Sequence, residues 1–379
     1  MSEMTLSSED MIEASYYSSS YAQAREKFLA AVTERGLLVS SFPHPSLKGR
    51  DGEELAVDTA LWGSFDASRL LIVSSGMHGV EGFSGSACQL SSLNDRDTIK
   101  LLSSGQIAIL FVHALNPYGF SYYRRGDENN VDLNRNFCDD GAPPCNDDYR
   151  ALHPHIVPDH WPPTEEAEAG IRQFIEAKGM QRFQTAVSGG QFEFPDGLFF
   201  GGDSPSWSNR TLRHILRTYG ERRKMVVWVD LHSGLGPYAA AEKICSGPND
   251  ARLLALARKW WGEDVTSTHE GSSASTILTG SKWRAFEKEC GSAWRLCLTV
   301  EFGIFPAMQA LRSLRAEQFL YNHKTKVPEA QKLRIQKDFL DTFLSGAPDW
   351  KRLVLGQSNA IIRRSLISMA EQEILGTVP

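Results

Sequence analysis

Short apolar runs alternate with amphipathic segments along most of the chain. Buried strands are predicted where an apolar run is short and flanked by turn residues, at Leu37–Phe42, Leu55–Trp62, Leu70–Ser74, Gln106–His113, Met225–Leu231 and Leu296–Val300. Helices are predicted where apolar residues recur with helical spacing, at Tyr21–Arg35, Ser86–Leu93, Thr164–Lys178, Ser208–Glu221 and Ala251–Gly262. Strands that alternate with helices predict an α/β fold, with a mixed, largely parallel sheet and helices on both faces.

The pattern changes at two places. The stretch 137–163 is rich in Asp, Pro and His and is predicted to be irregular. Beyond Phe305 three helices are predicted, at Ala307–Asn322, Glu329–Ser345 and Gln357–Leu375. We therefore expect one domain over residues 1–305 and a helical C-terminal extension, residues 306–379, packed on it.

Composition and charge exclude several classes of partner. The 379 residues carry a net charge of −6, so neither nucleic acid nor an anionic membrane is expected to bind. No apolar run approaches the ~20 residues that span a bilayer, and the polar, acidic start is not a secretory signal. The 6 cysteines include no C-x-x-C pair, so we expect a cytoplasmic protein with reduced thiols. Cys138 and Cys145, which share a polar loop, are the one pair considered as a candidate disulfide.

Three apolar runs lead directly into residues that bind metals or transfer protons. His78 and Glu81 follow one run, and His232 and Glu301 follow two others. Open α/β sheets build their sites beyond the strand ends, where such residues meet. Two histidines and one glutamate are an established ligand set for catalytic zinc. The sequence therefore predicts a mononuclear zinc hydrolase, although a His-x-x-Glu pair alone also occurs as an ordinary surface or core pair.

The polar segment Arg125–Phe137 supplies candidate substrate-binding groups. Arg125 and Arg135 flank Asp132 and Asn134 within this segment. Arginine suits two-pronged binding of a carboxylate. A turn capped by asparagine side chains is the alternative explanation of the segment.

These motifs resemble, in order and approximate spacing, the zinc metallocarboxypeptidase (M14-like) superfamily. The similarity is greatest to an uncharacterised, DUF2817-like bacterial branch. It covers about residues 55–305 and depends on the motifs just described, together with Val131–Phe137 and Thr299–Gly303. The resemblance implies that one Zn²⁺ per chain is held by three residues, His78, Glu81 and His232.

The resemblance also implies roles for the other polar residues. Glu301 would be the general base and acid, and Arg125 would polarise the scissile carbonyl, with Arg124 as the substitute one position earlier. Asp132 would accept the distal N–H of a ligand imidazole. Asn134 and Arg135 would bind the terminal carboxylate of the substrate.

The expected activity is hydrolysis of an amide bond in a small peptide or peptide-like substrate with a free carboxylate. An N-acyl-amino-acid deacylase and an inactive binding protein with the same fold are the alternatives. The oligomeric state is left open.

No G-x-S-x-G motif or P-loop occurs, so serine-hydrolase and nucleotide chemistry have no support. The three histidines that could form another metal site are His153, His155 and His160.

Two features depart from the family pattern. No tyrosine lies between Tyr238 and Tyr321, so Trp283 or Arg284 would have to cover the site in place of the family's tyrosine. The interval between Arg135 and His232 is long, and an insertion there is expected to wall the cleft and restrict it to small substrates.

Overall fold

A seven-stranded sheet lies at the centre of the protein. The computed structural model describes residues 8–103, 105–138, 141 and 143–373. The strands in chain order are β1 Leu38–Lys48, β2 Glu54–Trp62, β3 Arg69–Ser75, β4 Ile107–His113, β5 Met225–Leu235, β6 Ala241–Ser246 and β7 Trp294–Phe305. Their spatial order is β1-β2-β4-β3-β5-β7-β6.

Helices connect and cover these strands. In chain order they are α1 Ser8–Tyr16, α2 Tyr21–Glu34, α3 Gly82–Asn94, α4 Arg96–Leu102, α5 Pro117–Ser121, α6 Asp147–Ile156, α7 Glu165–Lys178, α8 Met180–Ser188, α9 Trp207–Gly220, α10 Ala251–Trp261, α11 Trp283–Glu289, α12 Ala307–His323, α13 Glu329–Phe343 and α14 Pro348–Glu371. Short 3₁₀ turns occur at Gly79–Glu81 and Leu133–Arg135.

The four central strands, β4, β3, β5 and β7, run parallel to one another. The strands β1 and β2 add antiparallel pairs on one side, and β6 adds one on the other. This arrangement confirms the predicted mixed sheet with a parallel centre. It also brings the carboxyl ends of the four central strands to one edge, where a site can form.

Alternate residues of the central strands face two separate cores. On β5, Val227 and Val229 belong to the core that α14 covers, whereas Val226 and Trp228 belong to the core that α9 and α11 cover. Both faces are fully buried, which explains why these strands appear in the sequence as continuous apolar runs. The prediction of helices on both faces is confirmed.

Several predicted boundaries were wrong. Strands β5 and β7 do not end at His232 and Glu301, because the pairing continues through Ser233 with Phe302 and Gly234 with Gly303. A polar residue at the strand end was misread as a stop, although both strands keep hydrogen-bonded partners beyond it. The strand β6 and the helix α8 were not predicted, since neither has a long apolar run.

The segment predicted to be irregular contains the helix α6. The side chain of Asn146 caps this helix by accepting the N–H of Tyr149. Pro154 falls within its last turns and does not prevent the helix from forming. Cys138 and Cys145, which precede it, form no disulfide with each other.

The C-terminal helices contact the rest of the molecule closely. Trp350 of α14 is fully buried, and its indole Nε1–H donates to the carbonyl oxygen of Gly303 at 2.9 Å. Arg69 of β3 donates to the carbonyl oxygens of Met369 and Ala370 at the end of α14. The helix α14 begins earlier than predicted, and its predicted end at Leu375 lies outside the described residues. The domain boundary at residue 305 stays a prediction.

Among the helices of the described ranges, none is both long enough and apolar enough to cross a membrane.

Candidate functional site

His78 and Glu81 lie in the turn that connects β3 to α3. Two backbone hydrogen bonds hold this turn, since Gly79 N–H donates to the carbonyl oxygen of Arg125 and Val80 N–H to that of Arg124. A Cβ at Gly79 would lie 2.1 Å from the backbone of Gly119, so only glycine permits this close approach. The turn therefore carries both side chains on a rigid backbone.

His232 on β5 completes a compact cluster with these two residues. Its Nδ1 lies 2.8 Å from Glu81 Oε2 and 3.2 Å from His78 Nδ1, and His78 Nδ1 lies 2.9 Å from Glu81 Oε1. One ligand atom from each residue lies within 4.8 Å of the others, and all three side chains are buried. Within the described residues this is the only such group of three or more His, Cys, Asp or Glu residues.

The outer nitrogens of both imidazoles face carboxylates. His232 Nε2 lies 2.6 Å from Asp230 Oδ2, and His78 Nε2 lies 3.3 Å from Asp132 Oδ1. The carboxylate of Asp230 favours the His232 tautomer with its proton on Nε2, which directs the lone pair of Nδ1 into the cluster. At His78 the closer neighbour of Nε2 is Arg125 Nη2, at 2.8 Å, and this donor favours an unprotonated Nε2. The donor set thus fits a divalent ion such as zinc, which binds two histidines and a glutamate.

Asp132 and His232 are each stabilised in the charged form by neighbours of opposite charge. Burial alone would raise the pKa of Asp132, but the nearby charges of Arg125 and Arg135 outweigh it and hold that pKa well below its usual range. Burial would lower the pKa of His232, yet the carboxylates of Asp230 and Glu81 raise it to about 9. The carboxylates around His232 therefore favour positive charge at this imidazole.

Glu301 on β7 lies beside His232 because the two residues are register partners in adjacent parallel strands. Its Oε1 accepts the backbone N–H of Leu235 at 3.1 Å. Burial, followed by the charge of Glu81, raises the pKa of Glu301 to about 8. A cation bound at the cluster would offset the charge of Glu81 and lower this pKa.

Arg125 reaches the same cluster from the loop after α5. It donates from Nε to Asp132 Oδ2 at 3.0 Å and from Nη1 to Glu81 Oε1 at 3.3 Å. Arg124 points elsewhere, because it pairs with Glu317 of α12 and stacks over the Tyr321 ring at 3.7 Å. Of the two adjacent arginines, only Arg125 is available to the cleft.

Asn134 and Arg135 line the cleft, but both already make internal contacts. Asn134 Oδ1 accepts the backbone N–H of Lys282 at 3.0 Å. Arg135 donates from Nε and Nη2 to the carbonyl oxygen of Ser188 and from Nη1 to that of Asn134. The guanidinium is therefore held in place at the cleft wall before any substrate arrives.

A cavity of about 280 Å³ opens over the cluster. Its apolar walls come from α8 and α12, through Phe183, Val187, Leu311 and Leu314. The helix α8 lies in the long interval between Arg135 and His232, so this interval does form part of the wall. Trp283 also lines the cavity, whereas Arg284 is not among its lining residues.

The alternative histidine set does not form a common site. His153 and His155 lie on α6, where His153 stacks on Phe194 at 4.0 Å and its Nε2 lies 3.4 Å from Asp196 Oδ1. The ring of His155 packs closely against Gly170 of α7. These histidines serve the packing of α6.

Two charged residues of the site were missed from the sequence. Asp230 precedes His232 by two positions and therefore projects from the same face of β5, a signal that could have been used. Lys282 bonds to Asp230 but lies 52 residues away in sequence, and nothing local marks it.

Comparison with known proteins shows the family of this chain. The sequence model of the family described as "Protein of unknown function (DUF2817)" matches residues 17–357. The chain belongs to the DUF2817 family. No curated protein matches its sequence.

Solved structures similar to this DUF2817 chain include carboxypeptidases. The structure of thrombin activatable fibrinolysis inhibitor covers 97% of this chain and 79% of its own, at 14% identity and a TM-score of 0.50. Carboxypeptidase A from Helicoverpa armigera covers 85% and 73%, at 13% identity and a TM-score of 0.47. A putative carboxypeptidase A from Shewanella denitrificans covers 90% and 69%, at 12% identity and a TM-score of 0.44. The predicted resemblance is thereby confirmed at the level of the fold.

Proposed function

We propose that this DUF2817 protein is a zinc-dependent hydrolase that cleaves an amide bond in a small peptide or peptide-like substrate with a free carboxylate. One observation carries the proposal. The ligand nitrogens of His78 and His232 converge with the carboxylate of Glu81, and a further carboxylate, that of Glu301, lies directly beside them. In this proposal His78, Glu81 and His232 hold the ion.

Zinc held there would act as a Lewis acid and lower the pKa of bound water from 15.7 towards about 7. Glu301 is placed to move the proton. Its Oε1 is fixed by the N–H of Leu235, so Oε2 is the oxygen that takes a proton from the attacking water. The same carboxyl group then gives that proton to the departing amine.

Arg125 supplies positive charge near the reacting carbonyl. Its side chain is partly exposed to the cleft, whereas the carboxylates of Asp132 and Glu81 fix its direction. The guanidinium can therefore stabilise negative charge that develops on the carbonyl oxygen without a large rearrangement.

Arg135 and Asn134 are proposed to bind the substrate carboxylate. The guanidinium of Arg135 is oriented by its bonds to Ser188 and Asn134, which lowers the entropy lost when a carboxylate binds. The cavity volume of about 280 Å³ and the apolar walls from α8 and α12 favour small substrates with an apolar portion.

The test begins with elemental analysis of purified protein, which should find close to one zinc per chain. Dipeptides with a free carboxylate are then compared with N-acetyl and N-succinyl amino acids. Cleavage of dipeptides supports the proposal, and preferential cleavage of the acylated amino acids would replace it with the deacylase alternative. A protein that binds no zinc and cleaves neither class would contradict both.

A further inference from the structure

Lys282 is a buried lysine at the cleft that the proposed mechanism does not use. Its side chain is only 3% exposed, just before α11. Its ammonium group contacts the carboxylate of Asp230 and donates to Thr299 Oγ1 at 2.8 Å. A lysine is rarely buried this deeply unless a partner holds it, so its position requires an explanation.

The partner, Asp230, is itself fully buried and surrounded by donors. The sheet register puts Ser74 of β3 on one side of it and Thr299 of β7 on the other. Ser74 Oγ donates to Asp230 Oδ1, and Trp228 Nε1–H donates to Ser74 Oγ at 2.7 Å. One carboxylate oxygen is thus satisfied by a neutral donor from the adjacent strand.

The other oxygen, Asp230 Oδ2, contacts both His232 Nε2 and Lys282 Nζ. Removing a charged partner from a buried carboxylate is strongly destabilising, because the remaining charge has no compensation. Within this network Asp230 links the amine of Lys282 to the outer nitrogen of His232.

We propose that Lys282 is a positioning residue for the metal ligand His232. Its ammonium group fixes the rotation of the Asp230 carboxylate, so that Oδ2 faces the imidazole and the Nδ1 of His232 points into the cluster. In this proposal the Lys282 side chain acts on the metal site only through Asp230 and is not itself a ligand. The inference rests on the metal site of the proposed function.

The same residue serves the substrate side of the cleft by a separate route. The backbone N–H of Lys282 donates to Asn134 Oδ1, and the carbonyl oxygen of Gly280 accepts the N–H of Phe137. Because these contacts use the backbone, a side-chain substitution at Lys282 preserves them. Effects on metal binding and on substrate binding can therefore be separated.

The experiment measures zinc affinity by competition with a chelator for the parent, Lys282→Met, Asp230→Asn and the double variant. Outer partners of metal ligands typically contribute 10- to 100-fold in affinity. Lys282→Met should therefore weaken zinc binding by about 10- to 100-fold. The double variant should bind no more weakly than Asp230→Asn alone, because Lys282 acts through Asp230.

A matched control is Lys243→Met. Lys243 also pairs with an aspartate, Asp264, but does so at the edge strand β6 and away from the cluster. This variant should bind zinc like the parent. Thermal unfolding of each variant in excess chelator separates loss of the fold from loss of the metal site.

Activity at saturating zinc gives a second measurement. The KM of Lys282→Met for substrates with a free carboxylate should stay at the parent value, because the bond from the Lys282 backbone to Asn134 is preserved. If Lys282→Met binds zinc within twofold of the parent, or if the two single losses multiply in the double variant, the inference is overturned. A parent protein that binds no zinc would overturn the proposed function as well, so the two failures are distinguishable.

Discussion

His232 and Glu301 occupy paired positions on the adjacent parallel strands β5 and β7. Neighbouring strands lie about 4.8 Å apart, and register partners project from the same face. The proposed proton acceptor is therefore held beside a proposed metal ligand by the hydrogen-bond ladder of the sheet itself. No mobile loop is needed to bring the two groups together.

Replacing Glu301 by glutamine should abolish most turnover and leave metal binding intact. The amide cannot accept the proton, and general base catalysis typically contributes about 10²- to 10⁴-fold. Steady-state kinetics together with zinc analysis would measure both effects. Glu242→Gln is the matched control, since Glu242 is the register partner of Glu301 on β6 and does not line the cavity. Full activity of Glu301→Gln would remove this residue from the mechanism.

Replacing His232 by alanine should remove the metal, because only two ligands would remain. Zinc content after dialysis measures the outcome. His153→Ala provides the comparison, since His153 belongs to the alternative histidine set and lies on α6, outside the cluster of His78, Glu81 and His232. If His153→Ala loses zinc and His232→Ala retains it, the metal site has been placed wrongly.

Replacing Arg135 by alanine should raise KM for substrates with a free carboxylate by about ten- to one hundred-fold. A hydrogen bond to a charged group contributes about 1.5–3 kcal/mol, and that is the interaction removed. Amidated analogues of the same substrates should show little change. Arg182→Ala removes an arginine from the exposed side of α8, where it pairs with Asp148, and should alter neither class. Equal increases for both substrate classes would reject the carboxylate role of Arg135.

The buried His113 predicts a loss of stability in mild acid. Burial lowers the pKa of His113 to about 4, whereas an unfolded histidine titrates near 6.5. The unfolded chain therefore binds more protons between these values, and the free energy of unfolding decreases as the pH falls through this window. The total decrease from this group is roughly 3 kcal/mol.

Urea unfolding at pH 7 and pH 4.5 would measure this dependence. His113→Asn loses the stacking on Phe28 at 4.6 Å and should be less stable at both values. However, the difference between the two pH values should be smaller than in the parent. An undiminished difference would assign the acid sensitivity to other groups.

Replacing Trp350 by alanine should lower the free energy of unfolding by about 3–5 kcal/mol, as expected for a fully buried tryptophan. The loss includes its hydrogen bond to Gly303. Leu353→Ala on the same helix is the control, because Leu353 is 46% exposed and its truncation should have little effect.

Chemical denaturation should show one transition for the sheet and α14 together. A separate early transition of α14 in the parent would contradict the packing of the C-terminal helices on the core.

The sequence by itself predicted the general fold and the residues of the candidate site. Continuous apolar runs alternating with amphipathic segments predicted the buried parallel centre, because burial on both faces leaves a local pattern in each strand. The residues His78, Glu81, His232 and Glu301 were identifiable because they follow such runs at short distances in the sequence. The structure then brought these four together.

Only the tertiary structure decided which groups support that cluster. It directed Arg125 into the cleft and Arg124 towards Glu317, although the two are neighbours in the chain. It also placed Lys282 on Asp230 and formed the cavity walls from α8 and α12. These contacts depend on strand register and on the packing of segments distant in sequence, whereas periodicity reports only which face of its own element a residue occupies.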